Sequence, residues 1–322
     1  MTKFNLLNAT KLSLICAISA SACFSLSDVS IKFLSSDYSL YQIVFIRSLI
    51  GLFITIFIFV PFEGGFKALK TNRPFIHLAR GFCLVLANMF FFAGIAILPI
   101  AECTAIFFVA PLLITFLSSV LLKEPVGIRR WSALLIGFIG VLIIVQPGQI
   151  SFHWSTLLPL VAAICYAFLH TSTRYLGLSE KASTLTFYIQ IAFLLVSSVM
   201  GLAFGDGDFS VYENASLEFL LRAWVVPNYN HISILLFLGV ASSFGGYLIS
   251  QAYRSSESGL VAPFEYTTLI LSIIWGVTIW GEWPSLASSF GILLILFSGI
   301  YVALREIHLG AKISVKKSSA RR

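Results

Sequence analysis

Ten apolar stretches follow one another along this chain, with few polar residues between them. They run at roughly 12–34, 41–60, 75–97, 101–122, 131–147, 154–175, 183–204, 232–252, 259–281 and 285–304. A helix needs about 20 mostly apolar residues to cross the hydrocarbon core of a bilayer. The pattern predicts an all-α, polytopic membrane protein with ten transmembrane helices. Most connections are short, so neighbouring helices should run antiparallel. The longest, 205–231, holds Asp206, Asp208, Glu213 and Glu218. Its SLEFLLRAWVV stretch is too short to span and is expected to lie along the interface.

Composition supports a lipid solvent. Of 322 residues, 58% are hydrophobic and only 11% charged, with a mean hydropathy of +0.94. Soluble domains carry about 25% charged residues. A net charge of +7 would suggest nucleic acid in a soluble protein. Here the bases sit in short loops and at the C-terminus, which describes membrane topology and no nucleic-acid partner. With both termini cytoplasmic, 18 of the 21 Lys and Arg fall on the inner side, Arg80 and the basic tail 307–322 among them. Outer loops keep Arg222 alone, and Lys32 and Arg47 fall within helices. The five cysteines lie in apolar segments without CxxC spacing, so they read as buried hydrophobes and imply no disulfide or metal. The apolar run ending ASAC at Cys23 resembles a leader, but it continues as SLSDVSIKFL and recurs mid-chain. It is therefore expected to be the first membrane helix.

The recurrence is an internal repeat. FSLSDVSIKFLS (24–35) aligns with YAFLHTSTRYLG (166–177) at an offset of 142. Aromatics match at 24/166 and 33/175, bases at Lys32/Arg174, and Ser30/Ser172 and Leu34/Leu176 are identical. Later, LLKEP aligns with IWGEWP, putting Glu124 over Glu282 at an offset of 158. Five helices per half is an odd number, so the halves, 12–147 and 154–306, must point in opposite directions. Such inverted repeats suit alternating access around a central site.

In this order and spacing, SDVSIKFL, VFIRSLIG, RPFIHLARG, ILPIAECTAIFFVAPLLITFLSSVLLKEPVGIRRW, GFIGVLIIVQPG and AYRSSESGLVAPFEYTTLILSIIWGVTIWGEWPS resemble the EamA-like ten-helix type of the drug/metabolite transporter superfamily. The resemblance spans about 12–306 and implies a fold and a transport function. The DVSIKFL, IRSL and APFEY segments look most like members that import riboflavin or S-adenosylmethionine; other members export amino acids and related metabolites. One departure stands out. Pro111 lies thirteen residues before Glu124, but the matching position before Glu282 is Leu269, with Pro263 instead.

Charges deep in a bilayer each cost about 2.5–3.5 kcal/mol by insertion scales, so each needs a reason. Glu265 lies six residues into its helix, about 9 Å from the end at 1.5 Å per residue. Pro263 removes an N–H there, so the ninth helix should be irregular where it faces protein or a wet cavity. Glu265 either binds a cationic group or takes up a proton, or it is a buried structural carboxylate bonded to groups such as Tyr266. Asp28 and Lys32 are four apart and can neutralise each other. Arg47 is a rival partner for Asp28, or a fork for a substrate carboxylate or phosphate; its counterpart 143 residues on is Gln190. His170, opposite Asp28 in the repeat, is a core histidine or a cavity group. Tyr266, Gln251 and Tyr253 are candidate cavity groups, and Phe107 and Phe108 candidate stacking surface. Glu102 suits a helix N-terminus, while Glu124 and Glu282 read as helix end-signals. Trp131, Trp154, Trp280 and Trp283 sit near span ends as interfacial anchors. GFIG, SSFGG and FSG mark close helix contacts.

No G-x-S-x-G elbow, H-E-x-x-H, P-loop or Cys/His metal spacing speaks for a membrane enzyme, and no ring of like charges for a channel. The sequence thus predicts a non-enzymatic secondary transporter of a small polar or zwitterionic metabolite in the cytoplasmic (inner) membrane. It implies no cofactor, leaves open proton or counter-substrate coupling, and does not define an oligomeric state.

Overall fold

A computed structural model describes residues 3–124, 127–145, 154–207, 215–256 and 258–308. Their regular elements are all helical, with no strand among the described residues. In chain order the helices are α1 Lys3–Leu34, α2 Leu40–Phe62, α3 Pro74–Ile95, α4 Ile100–Leu121, α5 Ile128–Val145, α6 Leu157–Leu176, α7 Ala182–Phe204 and α8 Tyr229–Ser255. Then α9 joins Ser258–Val261, a 3-10 turn Ala262–Glu265 and Tyr266–Trp280, and α10 is Leu286–His308. Seven helices are long and apolar enough to cross a membrane, and shorter apolar stretches lie at Trp131–Ile144, Tyr266–Trp280 and Leu286–Tyr301. Most of the basic tail, 309–322, and residues 208–214 of the long connection lie outside the described residues.

The outer surface fits lipid. Phe53, Phe57, Phe62, Leu202 and Phe297 are each more than 60% exposed, far more apolar display than a soluble monomer carries. Buried hydroxyls close onto their own helices, as Ser27 Oγ donates to the Cys23 carbonyl at 2.8 Å and Thr55 Oγ1 to that of Gly51 at 2.8 Å. Without water, such internal partners are what keep polar groups affordable.

Among the helices, α1 packs on α8, α3 on α6, α5 on α10 and α2 on α7. The α5–α10 contact is backbone to backbone. A Cβ at Gly140 would stand 2.7 Å from the Gly291 carbonyl oxygen, and one at Gly291 2.6 Å from that of Gly140. GFIG is therefore a helix contact, as its composition suggests.

Both α4 and α9 are interrupted. The α4 helix breaks at Phe108 and Val109, just before Pro111, and α9 passes through the 3-10 turn that contains Pro263. The irregularity expected near Glu265 is thus present. The two helices also end alike. Lys123 and Gly281 adopt left-handed backbone (φ 55° and 67°), and the next amide returns to a carbonyl six residues back. Glu124 N–H reaches the Ser118 carbonyl at 3.2 Å and Glu282 N–H the Gly276 carbonyl at 3.0 Å. These returning bonds satisfy end carbonyls that lipid would leave bare.

The segment expected to lie along the interface packs at one end of the bundle. A short helix, Ala215–Leu221, buries Phe219 in the core shared by α1, α2 and α3. Arg222 donates to the Ser35 carbonyl at 2.9 Å, and Gln42 Oε1 accepts from Val225 N–H at 3.2 Å. The end groups of α1 and α2 supply acceptors that a free surface helix would not meet.

Candidate functional site

Between the helices lies a cavity of about 140 Å³, room for on the order of ten waters at ~10–15 Å³ each. Its walls hold four charged side chains: Asp28 from α1, Arg47 from α2, Arg80 from α3 and Glu265 from α9. Aromatic rings fill much of the rest, including Phe24, Phe91, Phe92, Phe107, Phe193 and Tyr166.

Glu265 ends the 3-10 turn of α9 and is only 6% exposed. Tyr166 Oη, from α6, donates to its Oε2 at 2.7 Å, and Tyr253 Oη, from α8, donates to Oε1 by a short hydrogen bond. Two hydroxyl donors hold the carboxyl group in one orientation from behind. His170 sits between those tyrosines, 4.2 Å from each ring centroid, and neither ring nitrogen has a partner among the described residues. Thr104 Oγ1, also on the wall, is likewise unpartnered. A buried polar atom without a partner costs about 1–3 kcal/mol, so these atoms favour a polar ligand.

Arg47 is held by Asn88, whose Oδ1 accepts from Nη2 at 2.5 Å, and lies over the Phe193 ring at 4.9 Å. Asn88 Nδ2 in turn donates to the Leu84 carbonyl, fixing the amide. Asp28 feels the Arg47 charge, yet its carboxylate takes no hydrogen bond or ion pair from the described residues. Gln190 completes this part of the wall. It fits because Gly51 on α2 has no side chain; a Cβ there would be 2.4 Å from Gln190 Nε2.

Seven of the residues singled out in the sequence therefore meet at the cavity: Asp28, Arg47, Phe107, Phe108, His170, Gln190 and Glu265. Four do not line it. Tyr253 stands behind Glu265. Tyr266 packs against Gly299, and its hydroxyl donates to the Phe108 carbonyl at 3.4 Å. Gln251 accepts from Arg254 at 2.8 Å. Lys32 does not pair with Asp28; it bonds both Glu282 oxygens at 2.7 and 2.8 Å and lies 4.8 Å from the Trp280 ring centroid. Glu102 stands in the first turn of α4, as expected, and accepts from Ser288 at 2.6 Å. Sequence reasoning missed Tyr166, Asn88 and Thr104, and it assigned Arg80 to the inner loops. The sequence alignment of 24–35 with 166–177 held the signal for Tyr166, which it sets against Phe24, another wall residue. Arg80 gave none, because its position near a helix start fits a loop-side base equally well.

Residues 11–146 match the EamA-like transporter family. An S-adenosylmethionine uptake transporter of Rickettsia prowazekii is 26% identical, covering 88% of this chain and 89% of its own. A riboflavin transporter of Rhizobium johnstonii is 26% identical over 76% of this chain and 74% of its own. An uncharacterized transporter of Helicobacter pylori is 28% identical over 88% and 92%. One solved crystal structure shares the fold with a TM-score of 0.67 at 17% identity, covering 94% of this chain and 99% of that one. Seven helices long and apolar enough to cross a membrane accord with these transporter relatives. The family match itself covers residues 11–146, less than half of the chain.

Proposed function

We propose that the protein is a secondary carrier that moves a small polar or zwitterionic metabolite across the cytoplasmic membrane by alternating access. In this reading ten helices form two inverted five-helix repeats, 12–147 and 154–306, with both termini cytoplasmic. S-adenosylmethionine-like or riboflavin-like uptake is the favoured direction, from the relatives' names. The single observation that carries the reading is the two-fold pattern of the cavity and its two ion pairs.

Wall residues recur at the repeat's own offsets. Phe24 and Tyr166, and Asp28 and His170, are 142 apart. Leu84 and Ser242, Asn88 and Gly246, Phe92 and Ser250, and Phe107 and Glu265 are 158 apart. Beyond the cavity, Lys32 of α1 pairs with Glu282 after α9 at 2.7 Å, and Arg174 of α6 pairs with Glu124 after α4 at 2.9 Å. Lysine and arginine are counterparts in the repeat, as are the two glutamates. In inverted halves these pairs lie on opposite faces, so each ties shut one side of the same cavity. A carrier needs two such closures that alternate; a channel or an enzyme does not.

The test is uptake into proteoliposomes of labelled S-adenosylmethionine, riboflavin and amino acids by wild type and Glu265→Gln. Saturable uptake of one of them, with a changed KM or rate in the variant, supports the reading. Uptake of none, or equal uptake by both proteins at every pH, rejects respectively the substrate class or the role of Glu265.

A further inference from the structure

We infer that Arg80 is a substrate anchor, and that the transported molecule carries an anionic group which docks at the Arg80 end of the cavity. The inference rests on the carrier reading and sharpens it.

Arg80 lies in the second turn of α3 and is 1% exposed, one of the most deeply buried large side chains described. A guanidinium stays charged in a protein, and taking it out of water costs several kcal/mol unless it is paired. Yet Arg80 makes no ion pair among the described residues. Nε donates to Thr173 Oγ1 at 3.0 Å, and Nη1 meets His77 Nδ1 at a long 3.4 Å. Nη2 has no partner among the described residues, and the side chain lines the cavity.

The surroundings hold this group in place; the Glu180 charge acts on it, but no carboxylate pairs with it directly. Thr173 directs its own hydroxyl proton to the Leu169 carbonyl at 2.9 Å, leaving its oxygen free to accept from Arg80. His77 is stacked on Tyr188 at 4.5 Å, with its other nitrogen 3.8 Å from Glu180. Glu180 is itself occupied by Thr71 Oγ1 at 2.7 Å. A fixed fork with an open N–H edge is the geometry that reads a carboxylate or a phosphate.

The repeat argues against a purely architectural role. At the offset of 158 that relates the cavity residues of α3 and α8, the counterpart of Arg80 is Leu238, a fully buried leucine away from the cavity wall. The scaffold thus packs this position with a hydrocarbon in the other half. Arg80 thus has no cationic counterpart in the other half, so a ligand with an anionic end has a preferred orientation.

Binding to purified wild type, Arg80→Gln and Arg80→Lys tests this with two matched pairs. These are S-adenosylmethionine with its decarboxylated form, and riboflavin 5′-phosphate with riboflavin. Wild type should favour the anionic member of the pair it binds by about 10- to 100-fold, the range for a hydrogen bond to a charged group. The pair that responds identifies the anion as carboxylate or phosphate. Arg80→Gln should erase the preference, and its thermal melt reports that the variant is folded. Arg80→Lys, which keeps charge but loses the fork, should fall between. Equal wild-type binding of both members, or a preference that survives in Arg80→Gln, overturns the anchor while leaving the carrier standing. A wild type that binds none of the four overturns the proposed substrate class and the anchor with it.

Discussion

Breaking the Lys32–Glu282 pair should open one face of the protein, and breaking Arg174–Glu124 should open the other. Lys32 bonds both Glu282 oxygens, and the two side chains are 11% and 27% exposed. Glu282 Oε2 also accepts from the Ile100 N–H at 3.2 Å, so this one carboxylate ties α9 to both α1 and α4. Exposed pairs are worth about 0.2–1 kcal/mol, and breaking a buried pair costs about 3–5. The partial exposure puts Lys32→Met at about 1–2 kcal/mol, or roughly a 5- to 30-fold shift between closed and open forms at 1.4 kcal/mol per factor of ten. Arg174–Glu124, with a single bond at 2.9 Å and exposures of 21% and 16%, should shift by about 5-fold on the same scale. The assay needs a reporter in the cavity. Gly246 suits, because a Cβ there meets only Thr186 Cγ2, at 3.8 Å. With the five native cysteines changed to alanine, Gly246→Cys is labelled by a membrane-impermeant thiol reagent applied from the face that carries Lys32. Lys32→Met should speed labelling 5- to 30-fold by the estimate above, and Arg174→Met should slow it. The charge-swapped Lys32→Glu/Glu282→Lys protein should label like the parent. Unchanged rates, or shifts in the same direction for both variants, would refute the two-closure reasoning.

Two further predictions concern single side chains. Tyr166→Phe removes one of the two donors on buried Glu265 and should lower thermal stability by about 1.5–3 kcal/mol, as for a hydrogen bond to a charged group. The loss should shrink in a Glu265→Gln background, and an equal loss in both would mean that the hydroxyl acts elsewhere. Lys123→Gly relieves a left-handed residue that costs about 1–2 kcal/mol, offset in part by the extra freedom of glycine in the unfolded chain. A melting temperature raised by a degree or more is expected, and a lowered one would mean that the Lys123 side chain contributes more than its backbone costs.

Much of the fold was legible because lipid leaves few options. A chain this apolar must close every backbone polar group internally, so run length alone marked the helices. Pro263 announced the irregular turn before Glu265, since a ring without an N–H cannot sit unnoticed in a helix. Part of the cavity wall was legible through charge: Asp28 and Arg47 stand out as ions in apolar helices, and His170 and Gln190 are the residues aligned with them. What stayed hidden depended on long-range partners. Lys32 had a tempting neighbour in Asp28 four residues away, and only the tertiary fold brings Glu282 to it from 250 positions off. Tyr253 and Tyr266 are both near Glu265 in sequence or in space, but helix rotation decides which hydroxyl faces the carboxylate. Arg80 looked like a loop base because charge counting cannot tell the first exposed turn of a helix from a buried second one.

The central claim, one cavity reached alternately from two faces, is tested most directly by counterflow. Proteoliposomes are loaded with unlabelled substrate, S-adenosylmethionine first, then diluted into a trace of the labelled compound. A carrier should accumulate label transiently above its equilibrium level, because the loaded substrate returns the empty site to the outside carrying label inward. Label that rises only to equilibrium, without overshoot and without saturation, would contradict alternating access and describe a pore.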